Sequence, residues 1–223
     1  MSDQPLKATT KEKLESVMER KRKRIEVLQP LPPYTVIFCE GIKTEPLYIQ
    51  GFTNKINQKY KDYTTKDRIT VVGTGRGVRS LLYNARKRVR SDFPMCRVVW
   101  LVYDKDDFAD DDFDNTQYSV QDRVSEQEYH VAWSNECIEL WFLLHFRPLF
   151  SHIGRARYRK ILKEYFPYKK NMEGIYDTLK DNTHIAVSRA NTLYGNYKEG
   201  TPPSKMAPAT RMHELIAFLL EYL

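Results

Sequence analysis

Two apolar stretches of this chain run out into carboxylates. Val98–Asp107 reads VVWLVYDKDD, so Asp104, Asp106 and Asp107 put three acids in four positions directly after an uncharged run. Tyr34–Cys39 reads YTVIFC and ends in Glu40, followed by Gly41 and the helix-opening Lys43-Thr44-Glu45-Pro46. Carboxylates gathered from two such stretches repel one another unless a cation, or a proton on one of them, relieves the repulsion. A metal held there could in turn meet the phosphates of a polyanionic ligand.

Positioning these acids together requires a particular architecture. A short apolar run rich in β-branched and aromatic residues reads as a strand covered on both faces, as in a parallel α/β sheet. The carboxyl edge of such a sheet is where ligands bind, because the loops there leave a crevice that helices do not cover. Arg68–Val72 and His130–Ser134 supply two further strands, and helical patterns separate all four. The order βαβαβαβ predicts an α/β domain with a four-stranded parallel sheet flanked by helices.

The chain has 223 residues, 41% of them hydrophobic, enough for one core domain with appendages. Its uncharged apolar runs fall far short of the ~20 residues of a membrane span, and the charged start has no signal-peptide pattern. A cytoplasmic protein with no membrane partner is therefore expected. Cys39, Cys96 and Cys137 lack CxxC spacing and read as reduced core residues, not as a zinc site or a disulfide framework. Lys and Arg exceed Asp and Glu by 36 to 29 although acids crowd into 104–114, so the rest of the surface is more basic than the net +7 suggests. A basic body around an acidic pocket fits nucleic acid; a solvated basic surface is the plainer alternative.

Residues 1–33 form a basic arm, with Leu14, Val17, Met18, Ile25 and Leu28 at helical spacing and prolines at 30, 32 and 33 ending it. The run Arg20–Arg24 offers either a phosphate contact or an exposed helix face. Thr44 is placed to cap a helix whose inward stripe is Leu47, Tyr48, Phe52 and Ile56. The glycines of Gly73-Thr74-Gly75-Arg76-Gly77 permit close approach of a ligand to backbone N–H groups, or make a plain strand-to-helix turn; without GK[ST] this is no P-loop. Lys43, Arg76, Arg79 and Lys105, beside the strand ends, are the expected nucleic-acid contacts.

The acidic run 107–115 is expected to be a solvated loop, followed by a helix over 117–129. In the apolar helix Cys137–Phe146, Glu139 is costly to bury alone, so it either faces the site or pairs with a basic residue; His145 reads as a packing residue. From Arg147 the chain turns helical, over RARYRKILKEYF, Met172–Tyr194 and Ala207–Leu223. Tyr158, Tyr165, Tyr168, Tyr176, Tyr194 and Tyr197 lie among its basic residues, where aromatic rings either stack on bases or pack helices. The expected division is an arm over 1–33, a core over 34–146 and a helical region over 147–223.

Phe38-Cys39-Glu40-Gly41-Ile42-Lys43-Thr44-Glu45, the turn Tyr103-Asp104-Lys105-Asp106, Ser134-Asn135 with Glu139-Leu140-Trp141, and Pro208-Ala209-Thr210 resemble, in this order, the RloB-like family of bacterial and archaeal proteins. The resemblance implies a Toprim-like fold, in which Glu40, Asp104 and Asp106 are catalytic and hold Mg²⁺ or Mn²⁺, with Glu45 and Glu139 as further ligands. It also implies phosphodiester hydrolysis of DNA or RNA in a phage-defence or restriction-linked setting, an ATPase partner, and self-association as a further possibility. A non-catalytic nucleotide- or metal-binding module, or a toxin subunit controlled by the ATPase, is the alternative. The family pattern has proline after Ser-Asn; Glu136 stands there in this chain and adds an acid beside the strand end.

Overall fold

A computed structural model describes residues 8–26, 30–120 and 126–223, with the side chains of 8, 9 and 20–26 left aside. Two compact units divide the chain at residues 31 and 32. The first contains helix α1, Ala8–Glu26, whose Leu14, Val17 and Met18 are exposed. Leu28 lies outside the described residues.

The second unit is built on a sheet of five strands in the order β2-β1-β3-β4-β5. β1 (Thr35–Cys39), β2 (Ile69–Gly73), β3 (Val98–Asp104) and β4 (Glu128–Asn135) are parallel. The expected count of four is one short. Ala209–Thr210 forms a two-residue β5, antiparallel to Ser134–Asn135. Strands of two residues have no readable period, which is why this edge was not expected.

Alternation along β1 and β3 sends side chains to both faces. Ile37, Cys39, Trp100 and Val102 enter one core; Val36, Phe38, Val99, Leu101 and Tyr103 enter the other. The second core is closed by α3 (Val78–Asp92) and α4 (Asp110–Val120). α2 (Thr44–Tyr60) and α5 (Ile138–Leu144) cover the first face, joined by α6 (Arg155–Tyr165), α7 (Ile175–Leu179), α8 (Thr183–Gly195) and α9 (Met212–Leu220). Tyr158, Tyr168 and Tyr176 are buried in that core, Tyr194 and Tyr197 are half-buried, and Tyr165 is exposed.

Three element boundaries differ from expectation. The acidic run is no loop from Asp110 on, because acids in a first helical turn complement the helix dipole and Phe113 anchors the helix in the core. Of the helix expected over 117–129, residues 117–120 lie in α4, 121–125 lie outside the described residues, and Glu128 begins β4. Met172–Tyr194 is broken at Gly174, which adopts φ +72°, and a 3-10 turn separates α7 from α8. Thr44 does not cap α2: it lies inside the helix and its hydroxyl donates to Asn171 Oδ1 at 2.9 Å.

Candidate active site

At the carboxyl edge of the sheet, strand-like hydrogen bonding continues past the strands. Glu40 N–H donates to the Val102 carbonyl at 2.8 Å, and Thr74 N–H to the Cys39 carbonyl at 2.9 Å. Glu40 and Asp104 therefore become neighbours despite their separation in sequence, and the Glu40 carboxylate accepts from Asp104 N–H at 3.3 Å. Gly73 makes this edge possible. A Cβ there would come within 2.8 Å of Ile42 Cα and 3.0 Å of the Gly41 carbonyl, backbone atoms that cannot swing aside.

These loops and the N-termini of α2 and α5 enclose a cleft of about 470 Å³. Glu40, Glu45, Asp104, Asp106 and Glu139 all line it, as do Lys43, Arg76, Arg159 and Lys170. Glu45 comes from the first turn of α2 and folds back over Gly41, where a Cβ would meet its carboxylate at 2.1 Å. Asp104 is only 8% exposed and accepts from the Ile138 N–H, at the start of α5, at 2.9 Å. Asp106 sits in a left-handed turn with φ +38°, uncommon for a residue with a side chain. Its N–H donates to the Glu136 carbonyl at 2.9 Å and its carboxylate pairs with Arg155 at 3.0 Å, contacts that hold the turn.

Burial first, and neighbouring acids after it, raise four of the five carboxyl pKa values. Burial lifts Glu40 from its ordinary 4.5 to about 7, aided by the charges of Asp106 and Glu45 and opposed by the Asp104 N–H. Asp104 is pushed well up by burial first, then by Glu45 and Asp106. Glu45 rises through burial and the charge of Glu139, with Lys170 pulling the other way. Asp106 rises less freely, since Arg155 and Lys170 offset its burial. Glu139 differs: burial works to raise it, but hydrogen bonding from the Cys137 thiol, Arg159 and Tyr168 outweighs that and keeps it below the usual carboxylate range.

All five carboxylates are hard oxygen donors, suited to Mg²⁺ or Mn²⁺ and not to a softer metal. Among the described residues no three His, Cys, Asp or Glu side chains converge on one point as they stand. The reason is visible in their partners, since Asp104 is engaged by Ile138, Asp106 by Arg155, and Glu139 by Arg159 and Tyr168. The donor set fits a hard cation in chemistry, and Glu40, Asp104 and Asp106 are the three at neighbouring strand ends.

The expected cations separate into two groups. Lys43 and Arg76 face the cleft, and neither forms an ion pair among the described residues. Arg79 instead pairs with Asp112 at 2.6 Å and lines a different hollow. The Lys105 ammonium donates to the Phe108 carbonyl and lies 3.3 Å from Asp110, so it is committed to its own turn. Arg159, Lys170 and Asn171 were not singled out from the sequence. Their only signal there is a basic, aromatic stretch in which every Lys and Arg looks alike. Glu136 accepts the Arg155 N–H at 2.7 Å, fixing the start of α6, and the peptide bond before it is cis. His145 is buried with both ring nitrogens engaged, Nδ1 with the Trp141 carbonyl at 3.0 Å and Nε2 with the Tyr48 hydroxyl at 3.2 Å. The three cysteines are buried and unpaired, and no helix among the described residues is long and apolar enough to cross a membrane.

No curated protein and no solved structure matches the chain. The model of the RloB-like protein family does match, over residues 35–219. That span takes in every strand of the sheet and every carboxylate of the cleft, and by it the chain belongs to the RloB-like family.

Proposed function

We propose that the cleft is the site of a Mg²⁺- or Mn²⁺-dependent nuclease of Toprim-like type, acting in the cytoplasm in a phage-defence or restriction-linked system with an ATPase partner. The observation that carries this reading is the set of carboxylates at adjacent strand ends, raised in pKa by burial and mutual repulsion, with Lys43 and Arg76, which form no ion pair among the described residues, on the cleft wall. Such a site costs stability unless something positive enters it. Glu40, Asp104 and Asp106 would hold the cation, and Glu45 is close enough in charge to strengthen its attraction. When bound, the cation supplies charge stabilisation on the phosphate and a more acidic water.

The chain's own residues supply the rest. Lys43 and Arg76 attract the phosphate backbone to a cleft whose floor is acidic. Ile138 N–H orients Asp104, and Arg155 fixes the turn that presents Asp106. Glu45, folded over Gly41, closes the floor from the α2 side.

A regulatory module that binds a nucleotide or a metal without turnover is favoured by one observation: Arg155 already neutralises Asp106, and the carboxylates do not converge unaided. Incubating the protein with plasmid, single-stranded DNA and tRNA, with Mg²⁺ or Mn²⁺ and then with EDTA, separates the two. Cation-dependent cleavage that EDTA stops supports the nuclease. Binding of the cation without cleavage of any of the three assigns the cleft to the module.

A further inference from the structure

The cleft has a second wall, built from the C-terminal helices, that the strand-end reading leaves without a role. Arg159 projects from α6 and Lys170 from the segment after it, and both line the cleft opposite no acid of their own sequence neighbourhood. Lys170 forms no ion pair among the described residues, yet its charge reaches both Glu45 and Asp106. It therefore lines the cleft within electrostatic reach of Asp106, one of the three carboxylates that would hold the cation, and of Glu45 beside them.

Arg159 is held in a more specific way. Its Nε donates to Glu139 Oε1 at 2.7 Å, and the Tyr168 hydroxyl donates to the same oxygen at 2.9 Å. Glu139 is 2% exposed, whereas the Arg159 side chain keeps 37% of its surface open. The guanidinium is thus anchored through Nε to a buried carboxylate, and among the described residues its terminal nitrogens have no hydrogen-bond partner. A planar fork fixed at one edge and open at the other is the arrangement that binds a phosphate with two donors. α6 is itself positioned by Glu136 at its start and by buried Tyr158 and Leu162.

The geometry points to a phosphate-binding subsite formed by Arg159 and Lys170, with Glu139 as the positioning residue for Arg159 and not a metal ligand. This rests on reading the cleft as a nucleic-acid site. A cleft of about 470 Å³ takes one short backbone segment at a time, and the ligand assigned to it is one phosphodiester of an unpaired strand lying between this wall and that of Lys43 and Arg76. The shared chemistry is a phosphate, and a free polyphosphate is the other source of it.

The test is binding, with turnover kept out. Fluorescence anisotropy of a short labelled oligothymidylate is followed in EDTA and in millimolar Ca²⁺, over a salt series, for the wild type and for Arg159→Gln, Lys170→Gln, Glu139→Gln and Tyr168→Phe. Arg157→Gln, an exposed neighbour on α6, is the control. We expect Arg159→Gln to weaken binding about tenfold, the scale of one charged hydrogen-bonded contact. Arg159→Gln and Lys170→Gln should each make the log–log salt slope shallower by about 0.7, the value of one single-strand phosphate contact. Glu139→Gln should weaken binding with less change in slope, since the cation remains but loses its anchor. If Glu139→Gln does not fold, Tyr168→Phe, which keeps the ring and removes the second donor to Glu139 Oε1, gives the same readout in milder form. Arg159→Gln and Lys170→Gln behaving like Arg157→Gln would overturn the subsite, as would a wild type that binds no probe. Displacement of the oligonucleotide by equimolar inorganic pyrophosphate would overturn the nucleic-acid assignment in favour of a free polyphosphate. A wild type that binds the strand in this way but never cleaves one would sink the nuclease reading and leave the subsite standing.

Discussion

Half-buried Glu40 and buried Asp104 both favour their protonated state in the fold. A carboxyl whose folded pKa lies above its unfolded one holds a proton that the unfolded chain has already released, so the fold loses stability as pH rises between the two values. For Glu40 that window runs from 4.5 to about 7. In EDTA, Glu40→Gln has nothing to titrate there, so its melting temperature relative to wild type should climb from pH 5 and level off above about pH 7. A constant difference across that range, followed by scanning calorimetry, would mean that the fold does not raise the Glu40 pKa. Asp104→Asn should behave similarly, because the amide oxygen can still accept from Ile138 N–H while the buried charge is gone. We expect Mn²⁺ to raise the melting temperature of the wild type, since a ligand stabilises the state that binds it, and we expect the variant to melt no lower than wild type in EDTA and to show no such rise. A variant that melts lower and still responds to Mn²⁺ would mark Asp104 as structural. These acids were legible in the sequence because an apolar run followed at once by carboxylates fixes where they stand. Arg159 and Lys170 were not, because which basic residue of a helix faces a cleft depends on how that helix is docked, and Glu136 and Tyr158 decide that through contacts remote in sequence.

The elements were legible wherever hydrophobic period was long enough to read. β1 and β3 and the helices α2 and α3 fall close to where their apolar spacing predicts them. β5 did not announce itself, and α4 was hidden by its own acids, which stabilise a helix start although they look like solvated loop. The glycine at the end of β2 carries the most exposed consequence at this scale. Gly73→Ala places a methyl group against the backbone of Gly41 and Ile42, the loop that bears Glu40, and should cost about 1–3 kcal/mol of stability, the range for overpacking. It should reduce Mn²⁺ binding as well, because the loop must move. Gly195→Ala at the end of α8 meets no atom within 4 Å and should be neutral or mildly stabilising. Urea denaturation of both variants decides this; equal stability would mean that the β1–α2 loop has slack the packing does not show.

At the scale of the whole molecule, a chain of formal net charge +7 carries a cleft lined by five acids. Under the proposed function, the acidic floor opposes the attraction of a polyanion to the cleft until a cation neutralises it. Nucleic-acid binding should accordingly weaken as salt rises, with a log–log slope of about −0.7 per single-strand phosphate contacted, and should strengthen when Ca²⁺ is added at constant ionic strength. Anisotropy titrations with and without Ca²⁺ measure both; affinity indifferent to the divalent cation would confine the interaction to the basic surface outside the cleft. The sequence showed the imbalance of charge but not its arrangement. Pairing Arg79 with Asp112 and Lys105 with Asp110, while leaving Lys43 and Arg76 open, is a result of tertiary packing alone.

The most direct measurement is the cleavage rate of wild type and Asp104→Asn, in Mg²⁺, on whichever of plasmid, single-stranded DNA or tRNA the wild type cuts, with Asp110→Asn as control. Asp110 is a half-buried acid paired with Lys205 at 2.7 Å and Lys105 at 3.3 Å and is not among the residues lining the cleft, so its variant should cut at nearly the wild-type rate. Removing the charge of Asp104 should lower the rate by about a thousandfold or more, the scale of several kcal/mol of lost charge stabilisation. An Asp104→Asn protein that folds normally and cleaves as fast as wild type would contradict a cation-dependent nuclease in this cleft.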